Sequence, residues 1–294
     1  MNQRASSIGN LAAKILAKGG LGEVTRVFQK SAYIRSGDDF VLLLWGGLRS
    51  PITINIGGSP VLGNQIRAGE PCSLSTDAIG LDAGGIDLRS AKTFRSALVV
   101  SREISLPNGP SLAKGVAMLR SLYDVSPSGP TLAADPALKS FVWGTLSPYA
   151  SRRSVAVFSS ARYLPLIGRG GGFTPAGDDF VGGLLGTFNY VARCRKSKQI
   201  LIPRALVSSR TVPESAMILS HSAKGYVDEY VEKLVLKTLD GSERFYNELM
   251  AVAHRGHTSG IDISLGILLC EAALAQLGGE GNALKESLDV LWSP

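Results

Sequence analysis

The chain has 294 residues, enough for one large or two modest domains, each with its own core. A composition of 45% hydrophobic and 19% charged residues is that of a folded chain and excludes a wholly disordered one. The net charge of +7 is scattered and aromatics make up only 7%, which favours small anionic partners and argues against nucleic acid.

Cys72, Cys194 and Cys270 are widely separated and form no CxxC motif. This excludes a disulfide framework and structural zinc, and it suits a reducing cytosol. The opening "MNQRASSIGNLAAKILAKGG" sets Ile8, Leu11, Ala12, Ile15 and Leu16 on one helical face, predicting a leading helix. Lys14 and Lys18 interrupt it, unlike the apolar run of a signal peptide. No stretch approaches ~18 uninterrupted apolar residues, so a soluble, cytoplasmic protein without a membrane partner is expected.

From about Gly22 to Ser101 the chain reads as β. The runs "EVTRVFQ", "SAYIRS", "DFVLLLW", "PITINIG", "EPCSLST" and "SALVVS" are separated by the turn signals "SGDD", "WGG", "GGSP" and "DAGG". Short strands at this spacing predict an antiparallel barrel or sandwich. From Pro110 onward the period becomes helical. Leu112, Val116, Leu119 and Leu122 mark the first helix, and further helices are expected over 135–147, 176–195, 213–239, 241–254 and 261–277. Pro213 suits a first helical turn. The expected class is α+β, with a β-rich domain and leading helix over 1–105 and a mainly helical domain over 106–294. The basic clusters "SRRS" (151–154) and "RCRKSK" (193–198) read as solvated surface.

The stretch "LIGRGGGFTPAGDDFVGG" (166–183) carries the chemistry. A phosphate loop of the GxxxxGK[ST] type needs a lysine that is absent, and a dinucleotide fingerprint needs a βαβ context that is absent too. Thr174-Pro175 predicts a helix start, with Thr174 as N-cap and Pro175 as first helical residue. Gly168, Gly170, Gly171 and Gly172 then lie outside that N-terminus, where free N–H groups and the helix dipole attract an anion. Arg169 adds a guanidinium, and Gly177 opens the helix. The bland alternative is a glycine corner with acids that stabilise the dipole. Asp178 and Asp179 lie about 100° apart on a helix, so one is expected to face solvent or cap the loop. The other is held for a purpose, because an acid in so apolar a helix is costly to bury.

"GHTSGIDISLGIL" (256–268) repeats the grammar G-x-D-x-x-x-G-x-L. Asp179 matches Asp262, Gly183 matches Gly266, and Leu185 matches Leu268. Two glycine-led helices are expected to bring their N-termini to one cavity, with Asp179 and Asp262 as paired acids and Thr258, Ser259 and Gly260 as binding residues. A capping box between Ser259 and Asp262 is the competing reading. His257 is a candidate proton carrier. With His254 it makes a metal pair only if a third ligand exists, so no metal is assigned. Ser215, on the helix between the two motifs, is a further binding candidate beside its bland role in capping.

Taken together these motifs resemble the AllH-like family. "GRGGGFTPAGDDFVGGLL" is similar to that family's pattern G-x-G-x-G-[LF]-T-P-x-G-D-D-[FL]-x-x-G, and "GHTSGIDISLGIL" to its second signature. "TVPESAMILSHSAKGY" resembles the serine-containing helix between them, and "GGIDLRSAKTF" an Asp-Leu-Ser stretch of the N-terminal half. Arg169 and Gly171 depart from the pattern, where members often carry an apolar residue and a proline. The departure falls on the residues that would set anion preference. The resemblance implies a subunit of oxamate carbamoyltransferase, which converts oxalurate and phosphate to oxamate and carbamoyl phosphate in allantoin breakdown. It also implies partner subunits, and it carries over no catalytic residue.

The expected ligand is therefore a small anion such as phosphate, carbamoyl phosphate or an oxamate-like acid. The expected assembly is with other carbamoyltransferase subunits or as a homo-oligomer, and no cofactor is required. Two other classes remain open. One is a phosphotransferase or nucleotide-binding enzyme whose acids hold Mg²⁺, and the other is a non-catalytic scaffold subunit.

Overall fold

The structure is a computed structural model that describes residues 3–57, 65–125, 136–146, 160–242, 244–256, 258–279 and 281–292. The chain divides into two units, Met1–Ser96 and Ala97–Pro294. The "SRRS" cluster lies outside the described residues.

The first unit is a β-barrel. Its strands are β1 (Gln3–Gly9), β2 (Gly20–Phe28), β3 (Ser31–Ser36), β4 (Asp39–Leu44), β5 (Thr53–Ile56), β6 (Pro71–Leu74), β7 (Ala78–Leu81), β8 (Gly84–Asp87) and β9 (Lys92–Phe94). Eight strands follow the order β5-β4-β3-β2-β6-β7-β8-β1, and antiparallel pairing of β1 with β5 closes the ring. One edge of β1 holds β5. The other pairs in parallel first with β8 at Gln3–Arg4 and then with β9 at Ser7–Gly9, so β9 extends the ring without opening it. Closure leaves few free edges. Alternate side chains such as Val24, Ile34, Val41, Leu43, Ile54, Leu74, Ile79 and Ile86 fill the interior. The β3–β4 hairpin turns at Gly37-Asp38, where Gly37 has φ +59° as a tight two-residue turn requires.

Two expectations fail in this unit. Residues 3–9 are a strand, and only Asn10–Leu16 forms the leading helix α1. Helical periodicity loses to β1's pairing partners along both edges, and the switch falls at Gly9. A Cβ there would lie 2.2 Å from the carbonyl oxygens of Ser50 and Pro51. Pro51 O then accepts hydrogen bonds from Leu11 N and Ala12 N, both at 2.9 Å, and so caps α1. "SALVVS" is not a strand. Ala97–Val99 forms a 3-10 turn at the head of the second unit.

The second unit is helical: α2 (Gly109–Val125), α3 (Pro136–Leu146), α4 (Ser160–Tyr163), α5 (Ala176–Cys194), α6 (Arg204–Ser208), α7 (Pro213–Ser222), α8 (Glu229–Thr238), α9 (Tyr246–Ala253), α10 (Ser259–Gly278) and α11 (Ala283–Trp292). The segment expected as one helix over 213–239 is two. Gly225, at φ +87°, ends the first, and Asp228 caps the second by accepting from Tyr230 N and Val231 N. Helix α10 is the axis, packed by α2, α5, α8, α9 and α11. Its 20 residues, with mean hydropathy 1.6, satisfy the length and composition of a membrane span, yet 89% of that stretch is buried inside the unit. Arg193, in the basic "RCRKSK" run, is not free surface: it donates to Leu98 O, Gln199 Oε1 and Lys224 O.

Helices α5 and α10 cross at glycines. A Cβ on Gly183 would sit 2.2 Å from Ile263 O, and one on Gly266 would sit 2.1 Å from Phe180 O. With Asp179 set against Asp262 these are the same contact, once from each helix, so the crossing has pseudo-twofold symmetry. Gly182 and Gly186 face α7 instead, as their shared helical face predicts. We expect Gly183→Ala and Gly266→Ala each to destabilise the chain by about 3 kcal/mol or more, because backbone cannot yield as side chains do. Gly182→Ala, whose nearest neighbours are side chains at 3.7 Å or beyond, should stay within about 1 kcal/mol. Urea unfolding of the three variants measures this.

Candidate functional site

The glycine loop reaches α5 through a turn in which Leu166 O accepts from Arg169 N at 3.0 Å. Gly168, Gly170 and Gly172 take φ of +80°, +92° and +97°, a region closed to most other residues. Gly168 also passes so close to Arg210 that a Cβ would be 1.9 Å from its carbonyl oxygen. Gly171 differs: its φ is ordinary and nothing lies within 4 Å of a Cβ there. Arg169 through Gly172 are exposed, and Arg169 has no side-chain partner among the described residues. Helix α5 starts at Ala176 with Pro175 at the cap position, so Thr174 is not the N-cap. Pro175 O accepts from Asp178 N and Asp179 N, which leaves the Thr174 hydroxyl available to side chains.

Both aspartates are buried, Asp178 at 3% and Asp179 at 8% exposure. Neither faces solvent. Asp178 accepts three hydrogen bonds: Gly168 N at 2.7 Å to Oδ1, and Thr211 Oγ1 at 2.5 Å and Ser215 Oγ at 2.6 Å to Oδ2. Asp179 has hydroxyls about it instead. Thr174 Oγ1 donates to its Oδ2 at 3.0 Å, Ser259 hydrogen-bonds it as well, and the Thr174 and Ser259 hydroxyls are 3.0 Å apart. Burial pushes the Asp179 carboxyl up from 3.8 to about 8, against the opposing pull of Ser259, Thr174 and the Arg255 charge. The folded chain thus favours the protonated form of this carboxyl more than an exposed aspartate does.

The second motif follows the first in its backbone. Val252 O accepts from Arg255 N at 2.9 Å, Gly256 takes φ +64°, and Arg255 O accepts from Gly260 N at 3.2 Å. The matching bond in the first motif, Gly177 N to Arg169 O, is 2.9 Å. A Cβ on Gly177 would lie 2.0 Å from Leu166 O and one on Gly260 would lie 1.9 Å from Val252 O. Gly256 therefore corresponds to Gly170. The cap of α10 is Thr258 and makes no side-chain cap bond. Ser259 is the first helical residue and turns to Asp179, so no Ser259–Asp262 capping box forms. Asp262 is fully buried.

The structure thus brings Thr174, Asp179 and Ser259 together at the meeting of two helix N-termini, with Arg169 and the glycines beside them. Ser215 is placed on Asp178, beneath the loop. His257 lies outside the described residues, and His254 is exposed with Nδ1 2.8 Å from Met250 O. Among the described residues, no group of three or more His, Cys, Asp or Glu side chains is arranged to hold a metal ion. Sequence reasoning missed Thr211, Asp228 and Arg255. Arg255 forms an ion pair with Asp228 and its charge acts on Asp179. The repeat held the signal for it, since Arg255 precedes its left-handed glycine as Arg169 precedes Gly170.

The region containing both motifs matches the model of a protein family, oxamate carbamoyltransferase subunit AllH, over residues 166–271. Over that span the chain is AllH-like. No curated protein and no solved structure matches it. The AllH-like segment runs from the last residue before the glycine turn through most of α10, so it contains the crossing glycines, both aspartates of the loop and Ser259.

The AllH-like segment holds a further buried acid whose carboxyl is pushed up. Glu271 on α10 is fully buried, its Oε1 accepts from Thr238 Oγ1 at 2.6 Å, and burial pushes its carboxyl from 4.5 up to about 8. A carboxyl that binds its proton more tightly when folded contributes stability that is complete below pH 4 and lost as pH rises through about 8. Thermal melts should therefore fall across pH 4–8. Asp179→Asn and Glu271→Gln should each flatten part of that slope. At pH 8 each should raise Tm by about 2–8 °C, the shift expected for roughly 1–2 kcal/mol in a unit of this size.

Proposed function

We propose that the chain is a subunit of an oxamate carbamoyltransferase-like enzyme and supplies its small-anion site. The site lies where the glycine loop and the N-termini of α5 and α10 converge. Support comes from the family match, whose name implies further subunits, and from one observation: the buried Asp179, its carboxyl pushed up by desolvation, sits between the hydroxyls of Thr174 and Ser259. Exposed loop amides and Arg169 favour an oxyanion by charge and hydrogen bonding.

In this reading an oxygen of phosphate attacks the carbamoyl carbon of oxalurate. The C–N bond to the oxamate nitrogen breaks as the new C–O bond is completed. The negative charge that develops on the carbamoyl oxygen is met by loop N–H groups and Arg169. Asp179 gives its proton to the departing nitrogen and regains one from the phosphate hydroxyl, so protons and charge balance. Thr174 and Ser259 hold the carboxyl in position for both transfers.

Asp179→Asn retains the shape and neutrality of the carboxylic acid but cannot exchange a proton. In the complex reconstituted with its partner subunits, kcat should fall by about 10²–10⁴ with assembly intact. The isolated full chain should be stabilised in thermal-shift assays by phosphate, carbamoyl phosphate or oxamate. Full activity of Asp179→Asn would overturn the proton role. A response confined to ATP with Mg²⁺ would replace the whole reading with the phosphotransferase one.

A further inference from the structure

The two helix lead-ins share their turn, their arginine, their left-handed glycine and their glycine-to-carbonyl contact, yet they differ in length. Seven residues, 170–176, separate Arg169 from Gly177, whereas four, 256–259, separate Arg255 from Gly260. The three additional residues belong to the exposed glycine loop. Its tip is open at Gly171, while its base is packed backbone to backbone at Gly168 against Arg210. The lead-ins also differ beneath the loop. Where the first has Asp178, the second has Ile261, by the same correspondence that sets Asp179 against Asp262.

A buried carboxyl group that receives three donors between 2.5 and 2.7 Å is a strong cross-link, because the bonds converge on one side chain and are shielded from water. Its donors come from two places far apart in sequence. Gly168 N belongs to the base of the loop, and Thr211 and Ser215 belong to the start of α7. On the reading of the loop as an anion site, we propose that Asp178 is a positioning residue. It latches the longer loop to the Thr211–Ser215 segment and thereby fixes the loop amides for an oxyanion, which Asp178 does not itself touch. The shorter second lead-in has no free length to restrain and carries an apolar residue at that position. Ser215 is thus part of the latch and not a ligand group.

The test uses the full chain, amide hydrogen exchange and titration with inorganic phosphate. Asp178→Asn removes the carboxylate. Thr211→Val combined with Ser215→Ala removes two donors at nearly constant volume should Asp178→Asn fail to fold, and Thr211→Ser serves as the conservative control. In the latch variants, exchange should accelerate about tenfold or more at Gly168–Phe173 and stay unchanged at Gly260–Asp262. Phosphate should bind about tenfold more weakly, the consequence of losing one such buried bond, with Thr211→Ser close to wild type. Unchanged exchange in the loop overturns the latch. Accelerated exchange with undiminished phosphate affinity overturns its positioning role. Accelerated exchange in a chain whose wild type binds no phosphate leaves the latch standing and overturns the anion-site reading instead.

Discussion

Everything in the helical unit depends on two glycines that let backbone touch backbone. Helices normally stand 8–10 Å apart because side chains separate them. At Gly183 and Gly266 there is no room even for a methyl group, so α5 and α10 cross at the closest approach their main chains permit. The crossing point lies within two turns of each N-terminus. Close approach there brings Thr174 and Ser259 into hydrogen-bonding range although 85 positions separate them. A wider crossing would hold the same residues apart and leave two unrelated helix starts.

The adjacent aspartates show how one dipeptide meets two different environments. Helical geometry points the side chains in different directions, and each meets a different environment. Asp178 finds a backbone N–H and two hydroxyls, all donating to it. Asp179 is also desolvated, but the hydroxyls beside it are shared: Thr174 and Ser259 contact each other as well as the acid. Burial then outweighs what they offer the charged form and pushes the carboxyl up. Neighbours in sequence thus end in two environments, one ringed by donors and one dominated by desolvation.

Much of this was legible in the residues. The five runs from "EVTRVFQ" to "EPCSLST" coincide with strands β2 to β6, and the G-x-D-x-x-x-G repeat marks two helices that do converge. What escaped reading depended on distant partners. Ile8 shares the helical face of Leu11 to Leu16, but it lies in β1, whose edges are claimed by strands β5, β8 and β9. Thr174 has the chemistry of an N-cap, yet Pro175 takes that position and the hydroxyl finds Asp179 and Ser259. Asp178 reads as an ordinary first-turn acid until Thr211 and Ser215, more than thirty positions later, fold against it. Spacing shows what a residue can do locally, whereas its partner is decided by contacts that no short window contains.

The position of α10 along the chain also bears on how the protein is made. Helix α5 is buried along almost its whole length, and much of what covers it is α10, whose first residue follows the end of α5 by more than sixty positions. During synthesis at about 5–20 residues per second, α5 spends several seconds outside the ribosome without that partner. Throughout that interval an apolar helix with a glycine groove is open to water and to other chains. The contact between α5 and α10 is therefore among the last that synthesis permits to form.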